Sequence, residues 1–261
     1  LISAVPAVLV PASALAQDAY YLDNVDQSVG SGIYPGSGQW APTSRIWLDV
    51  DGNGHAALPI RGIAVLRPGT IAAPLDVVLS IDGTVLPGTI RAEGSGFTLR
   101  DGTIGNLVNP VTFEVVSGAA LTVDSDLGGR TIVAGNGIVY FTGSQVVGRG
   151  LSVTDDATLD STGVTSGTLS VTDTAGAILR NRHDGGVTVA QNATITLSDA
   201  AEIDGDLDLD GSAVLSGRLD DLSVSGTGTA SVQGSLRLDR VTDQQGDLRI
   251  AAGSTLDIAR D

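Results

Sequence analysis

Leu151-Ser-Val153 begins a series of apolar-polar-apolar triplets that continues through Leu169-Ser-Val171, Val187-Thr-Val189, Leu207-Asp-Leu209, Leu222-Ser-Val224 and Leu248-Arg-Ile250. A second series, led by a small residue, is interleaved with it: Ala157-Thr-Leu159, Ala177-Ile-Leu179, Ala193-Thr-Ile195, Ala213-Val-Leu215, Ala230-Ser-Val232 and Ser254-Thr-Leu256. Both recur about every 19 residues, and a fixed period near 20 marks a solenoid. Two apolar side chains on one side of a triplet and a polar one on the other make a short, half-buried strand. One such coil cannot bury its apolar edge alone, but stacked coils can, at roughly 4.8 Å per layer.

Composition supports a narrow, repetitive core. Of 261 residues only 9 are aromatic, and none follows Phe141, so the later coils must be filled by Leu, Val, Ile and Ala. The 35 glycines include Asp-Gly pairs at 51–52, 82–83, 101–102, 184–185, 204–205 and 210–211, which suit corners of positive φ. Helix signals are almost absent. The formal net charge is −16 and every one of the 14 basic residues is Arg, which argues against a nucleic-acid partner, since phosphate binding needs clustered cations. Acidic surfaces instead keep an edge-rich β protein soluble. The chain has no Cys, which removes disulfides, thiolate metal sites and cysteine nucleophiles, and suits passage through an oxidising periplasm.

Residues 1–16 carry no charge and end Ala14-Leu15-Ala16 before Gln17, the form of a signal peptide's apolar region followed by its cleavage site. Cleavage after Ala16 is expected, and the missing basic leader makes the sequence part of a longer precursor. Residues 17–60 differ from the rest, holding Tyr20, Tyr21, Tyr34, Trp40 and Trp47 among Gly and Pro turns. Because the open end of a solenoid is an exposed sheet edge, this segment reads as an atypical N-terminal cap; an aromatic ligand patch is the other reading. Between residues 61 and 129 the triplets Ile63-Ala-Val65, Val77-Val-Leu79, Phe97-Thr-Leu99, Val111-Thr-Phe113 and Leu121-Thr-Val123 are less evenly spaced and are flanked by prolines. Residues 61–261 thus form one β-helix, expected to continue beyond the last residue.

Gly36-Ser-Gly-Gln-Trp40, followed by Ser44-Arg-Ile-Trp47-Leu-Asp49-Val-Asp51-Gly52 and later by coils such as Gly167-Thr-Leu-Ser-Val171, resembles the opening of autotransporter passenger domains built from autotransporter-associated β-strand repeats. The resemblance runs over essentially the whole chain, although many β-solenoids share the coil motif. It implies a right-handed parallel β-helix carried to the surface of a Gram-negative bacterium. The implied partner is an outer-membrane β-barrel translocator, on the same precursor or a separate chain. The implied role is that of an adhesin or structural stalk, with host-cell, matrix or glycan ligands. No ten-residue alternating strands of a barrel occur in this sequence.

Candidate chemistry is sparse. Asp49, Asp51 and Asn53, with Gly54 following, match the first half of an EF-hand-like calcium loop, but Ile60 stands where a bidentate Glu is needed. An Asp-Gly, Asn-Gly turn explains the same residues. Asp206, Asp208 and Asp210 fall on one side of a strand with Leu207 and Leu209 on the other, as a solvated outer face would. A β-helix polysaccharide-active enzyme, glycosidase or lyase, is the alternative function; it needs carboxylates converging from adjacent coils. His55 and His183 are the only histidines, too few for a zinc site, and no nucleophile elbow occurs. His183, between Arg182 and Asp184, reads as part of a solvated turn. No residue is therefore assigned a catalytic, cofactor-binding or metal role, and the chain is read as a non-enzyme.

Overall fold

The computed structural model describes residues 18–23, 35–49, 54–68, 76–143, 146–147, 150–198, 200–220, 224–238, 243–244 and 246–258. The expected signal peptide at 1–16 lies outside them. Every regular element is a β-strand, and parallel strands stack into a β-solenoid of about eight turns spaced about 20 residues apart. The all-β solenoid expected from the triplets is therefore the observed fold.

Each turn contributes a strand to each of three ladders. The first runs through Val111, Thr131, Leu151, Leu169, Val187 and Leu207 in register, with steps of 18, 18 and 20 residues from Leu151 onward. The second stacks Leu121, Val139, Leu159, Ala177, Ile195 and Ala213. The third stacks Thr165, His183 and Ile203. At some levels one strand bends round the corner and serves two ladders: Thr229–Leu238 pairs with both Leu248–Ile250 and Thr255–Ile258. Inward residues are buried and outward ones exposed or half-buried, so Leu207 and Leu209 are covered while Asp208 is not. Each fully buried Leu, Val or Ile contributes on the order of 1.5–3 kcal/mol, and the column of like residues lets each level pack on the next.

The last triplets are corrected: Val224 takes the place expected of Leu222 by stacking on Leu207, while Leu222 and Ser223 lie outside the described residues. Leu248-Arg-Ile250 stacks on Ala230–Val232 in the second ladder, and Ser254-Thr-Leu256 lies on the strand that pairs with Ser235–Leu238 in the third. The first ladder ends instead at Asp243–Gln244, which pairs with Ser225 and Gly226 and carries no apolar triplet. A strand without the pattern let the count slip by one face.

At several levels the corner from first to second ladder places one residue in the left-handed region. Asp155 (φ 60°), Asp173 (φ 57°) and Asn192 (φ 73°) occupy it in the shaft. Asx residues tolerate this conformation better than other non-glycine types because their short polar chains bond locally. Asp155 accepts from the Gly135 amide (3.2 Å), and Asp173 accepts from the Asp155 amide (3.3 Å) and the Thr154 hydroxyl (2.5 Å). The Asp155 and Asp173 corners are thereby each tied to the one before. At the corner from third ladder back to first, Gly185 has φ 143° and a Cβ there would lie 2.1 Å from the Gly167 carbonyl oxygen. Only glycine fits so close a backbone approach.

The N-terminal end has different chemistry. Ala19–Leu22 extends the first ladder in parallel beyond Ile63–Leu66, then pairs antiparallel with Trp47–Asp49, which pairs antiparallel with His55–Ala56. Gly38–Trp40 adds a parallel strand to the second ladder against Val77–Ile81. The two tryptophans meet over the end of the core, edge to face, with ring centroids 4.8 Å apart. Antiparallel strands laid across a parallel stack interrupt the template that an end level would otherwise offer.

Candidate functional site

Three places on the molecule collect chemistry. The first is inside the cap. Asp23 follows the strand Ala19–Leu22, and its amide donates to the Ile46 carbonyl (3.0 Å), which turns its side chain into the cap. Its carboxylate lies 3.1 Å from Nε2 of His55, with side chains only 1% and 8% exposed respectively. Arg45 braces this hairpin from outside by donating from Nε and Nη2 to the His55 carbonyl (3.1 and 3.0 Å). A buried carboxylate held on an imidazole is a fixed polar clasp between two cap segments. Beside it, Trp40, Pro42, Leu58, Ile60, Thr84 and Leu86 line a mostly apolar hollow of about 190 Å³, small for a ligand site.

Of the residues that match half of a calcium loop, only Asp49 and Gly54 lie among the described residues. Asp49 ends the strand Trp47–Asp49, and its amide donates to the Gly54 carbonyl (3.3 Å). Asp51 and Asn53 lie outside the described residues. Among the described residues, no group of three or more His, Asp or Glu is arranged to hold a metal.

The second place is the outer side of the third ladder. Arg182 sits between carboxylates of its own and the next level: Asp184, Glu202 (3.3 Å) and Asp204 (2.7 Å). The register His183↔Ile203 brings these acids together, since it sets Arg182 beside Glu202 and Asp184 beside Asp204. Asp184 first, with Glu202 and Asp204 behind it, pushes the Arg182 guanidinium above its ordinary value. On the second ladder Arg180 makes a two-pronged pair with Asp160 (2.7 and 2.9 Å), which likewise raises it. Such exposed pairs hold surface geometry and contribute little to stability, because water and salt screen them. Asp206, Asp208 and Asp210 face outward as expected, and Asp210 accepts from the amide and hydroxyl of Thr227 (both 3.0 Å).

The third place corrects the reading of His183 as part of a solvated turn. It is the middle residue of the strand Arg182–Asp184, completely buried, and its Nδ1 lies 2.7 Å from the Thr165 hydroxyl one level away. Strand alternation turns Arg182 and Asp184 outward and therefore His183 inward. In the sequence Thr165, His183 and Ile203 stand 18 and 20 residues apart, the spacing of the triplets, but three unlike residues make no hydrophobic period. Asp23 and the Arg182–Glu202 contact had no comparable signal.

Comparisons of the chain with protein-family models, with curated proteins and with solved structures find no match.

Proposed function

We propose that this chain is the shaft of a surface-exposed autotransporter passenger, acting as an adhesin or structural stalk on a Gram-negative bacterium. The observation that carries this reading is the continuous first ladder. Its levels follow one another in register from Ile63–Leu66 to Asp243–Gln244, with Thr112, Ile132, Ser152, Ser170, Thr188, Asp208 and Ser225 stacked in one outer column. A stiff rod whose outer column is polar apart from Ile132, and small from Ser152 onward, suits display and shallow contact spread over many levels. The Trp40 and Trp47 motif that resembles passenger openings packs as an end cap, and the acidic, cysteine-free composition fits export. The translocator is then an outer-membrane β-barrel, encoded with this chain or apart from it.

The test has two parts. The gene, expressed in its own precursor in a Gram-negative host, should yield shaft epitopes that antibody reaches on intact cells and that added protease removes. Retention of the epitope inside the cell would end the proposal. Purified protein applied to arrays of glycans and matrix proteins separates the two roles, since an adhesin binds a subset and a stalk binds none.

The polysaccharide-active alternative draws on one observation, the convergence of Asp184, Glu202 and Asp204 from adjacent levels. All three are engaged by the one Arg182 guanidinium, which favours their ionised form, whereas an acid-base pair needs one carboxyl protonated. Release of reducing or unsaturated sugar ends from acidic polysaccharides, lost on Asp204→Asn, would favour this alternative over the passenger reading.

A further inference from the structure

His183 is an ionisable group in an interior otherwise built of aliphatic and small side chains. Its Nε2 is buried with no hydrogen-bond partner, while Nδ1 is held at 2.7 Å by Thr165. The levels that carry Arg182–Asp184 and its neighbour turn buried Leu169, Val187, Leu179 and Leu197 into the same core, and Ile203 stacks on His183 in the third ladder. The charged residues on these strands sit at outward positions: Arg182 and Asp184 on its own strand, Glu202 and Asp204 on the next, and Asp160 and Arg180 flanking the second ladder. Among the described residues no carboxylate faces the ring from inside the shaft. A proton added to the ring would create a buried imidazolium with no carboxylate against it inside the shaft, which costs more than burial of the neutral ring.

The strand that carries the ring is short. Arg182–Asp184 has three residues, and the paired strand on one side, Thr165–Ser166, has two. In a stack whose levels touch only their neighbours, such a segment can open without unwinding the rest.

We propose that His183 makes its level of the shaft an acid-labile point, at which Arg182–Asp184 comes away from its two neighbours when the imidazole takes up a proton, while flanking levels stay wound. The direction agrees with the electrostatics. Burial pushes the ring below its ordinary value, against smaller opposing contributions from the backbone of Gly186, the Asp184 carboxylate and the backbone of Gly167. A histidine whose value is lowered by folding stabilises the native state fully above the unfolded value of about 6.5, and that stabilisation declines as pH falls below it. The opened strand carries the Arg182 guanidinium away from Glu202 and Asp204, so acid would expose carboxylates where an ion-paired face stood.

Amide hydrogen exchange on the full chain, corrected for intrinsic rates, tests this at pH 7.5 and pH 5.0. Protection in residues 165–166, 182–184 and 202–204 should fall by roughly tenfold or more at the lower pH, with residues 131–135 and 151–153 unchanged. His183→Leu, which suits the aliphatic surroundings, and His183→Asn, which keeps a polar partner for Thr165 but cannot be charged, should each abolish the local fall. An equal fall in both variants, or none in the wild type, would overturn the proposal. If neither variant folds, NMR titration of the wild type decides: two histidines give two ring signals, and His55→Gln identifies one. A His183 signal that titrates at or above the ordinary value would overturn the proposal, and one titrating below it would support it.

Discussion

In the cap, two indole rings from segments seven positions apart close the end of the core, and strands run antiparallel to their neighbours. Between residues 151 and 215 every described strand pairing is parallel, and apart from His183 each buried side chain is aliphatic or a small hydroxyl. The difference follows from what each region must pack against. A shaft level meets copies of itself above and below, so a column of Leu, Val and Ala fills the interior by repetition. The end level meets nothing like itself, and large rings of defined shape close it. The first turns are intermediate, with Phe113 and Phe141 packed edge to face at 6.1 Å.

The contrast predicts a large, local effect at the cap. Trp47 is completely buried, and Trp47→Ala should cost about 3–5 kcal/mol. Because coupling in a solenoid runs between neighbours, the loss should concentrate at that end. Trp40 fluorescence should report melting well below the far-UV circular dichroism transition of the variant, whereas the two coincide in the wild type. Coincident transitions in the variant would mean that cap and shaft fold as one unit.

Shaft corners should fail for a different reason. Gly185→Ala combines φ 143° with a Cβ 2.1 Å from the Gly167 carbonyl oxygen, so backbone at two levels must move, at about 2–3 kcal/mol. Gly118 has φ 75° but open space around its Cβ position, so Gly118→Ala meets strain alone, about 1 kcal/mol. Urea midpoints should order wild type, Gly118→Ala and Gly185→Ala from highest to lowest. Equal costs would show that conformation, and not close stacking, sets the requirement for glycine at these corners.

The same contrast explains what the sequence could and could not reveal. Leu151-Ser-Val153 is readable because alternation and period agree, and the outward Asp206, Asp208 and Asp210 follow from the same alternation. The third ladder stayed hidden because it has a single inward position per strand, filled by Thr165, His183 and Ile203 in turn, which gives no hydrophobic period. His183 was misplaced because two charged neighbours and a following Gly-Gly resemble a turn, and one inward residue cannot outweigh them. Trp40 and Trp47 stood out by composition alone, and their edge-to-face contact appears only in the folded chain. The Asp23–His55 clasp depends on two segments separated by 32 residues and on no repeat, so only the folded chain displays it.

Acid sensitivity separates a corner carboxylate from the buried histidine. Asp173 is fully solvated, yet its carboxyl lies below its ordinary value of 3.8, chiefly because the Thr154 hydroxyl donates to it, then because the Asp155 amide and the Thr172 hydroxyl do. A carboxyl lowered by folding stabilises the native state above its unfolded value, and that contribution is lost as pH falls through the folded one. The urea midpoint of Asp173→Asn should therefore lie below that of the wild type at pH 6, and the gap should close as pH falls below about 4. His183 acts in the higher window, below about 6.5, so the two substitutions should change different parts of one pH-stability curve. A gap for Asp173→Asn that stays constant from pH 6 to pH 3 would show that the corner depends on the Asx conformation and not on its charge. The tie between levels would then be steric, as it is at Gly185.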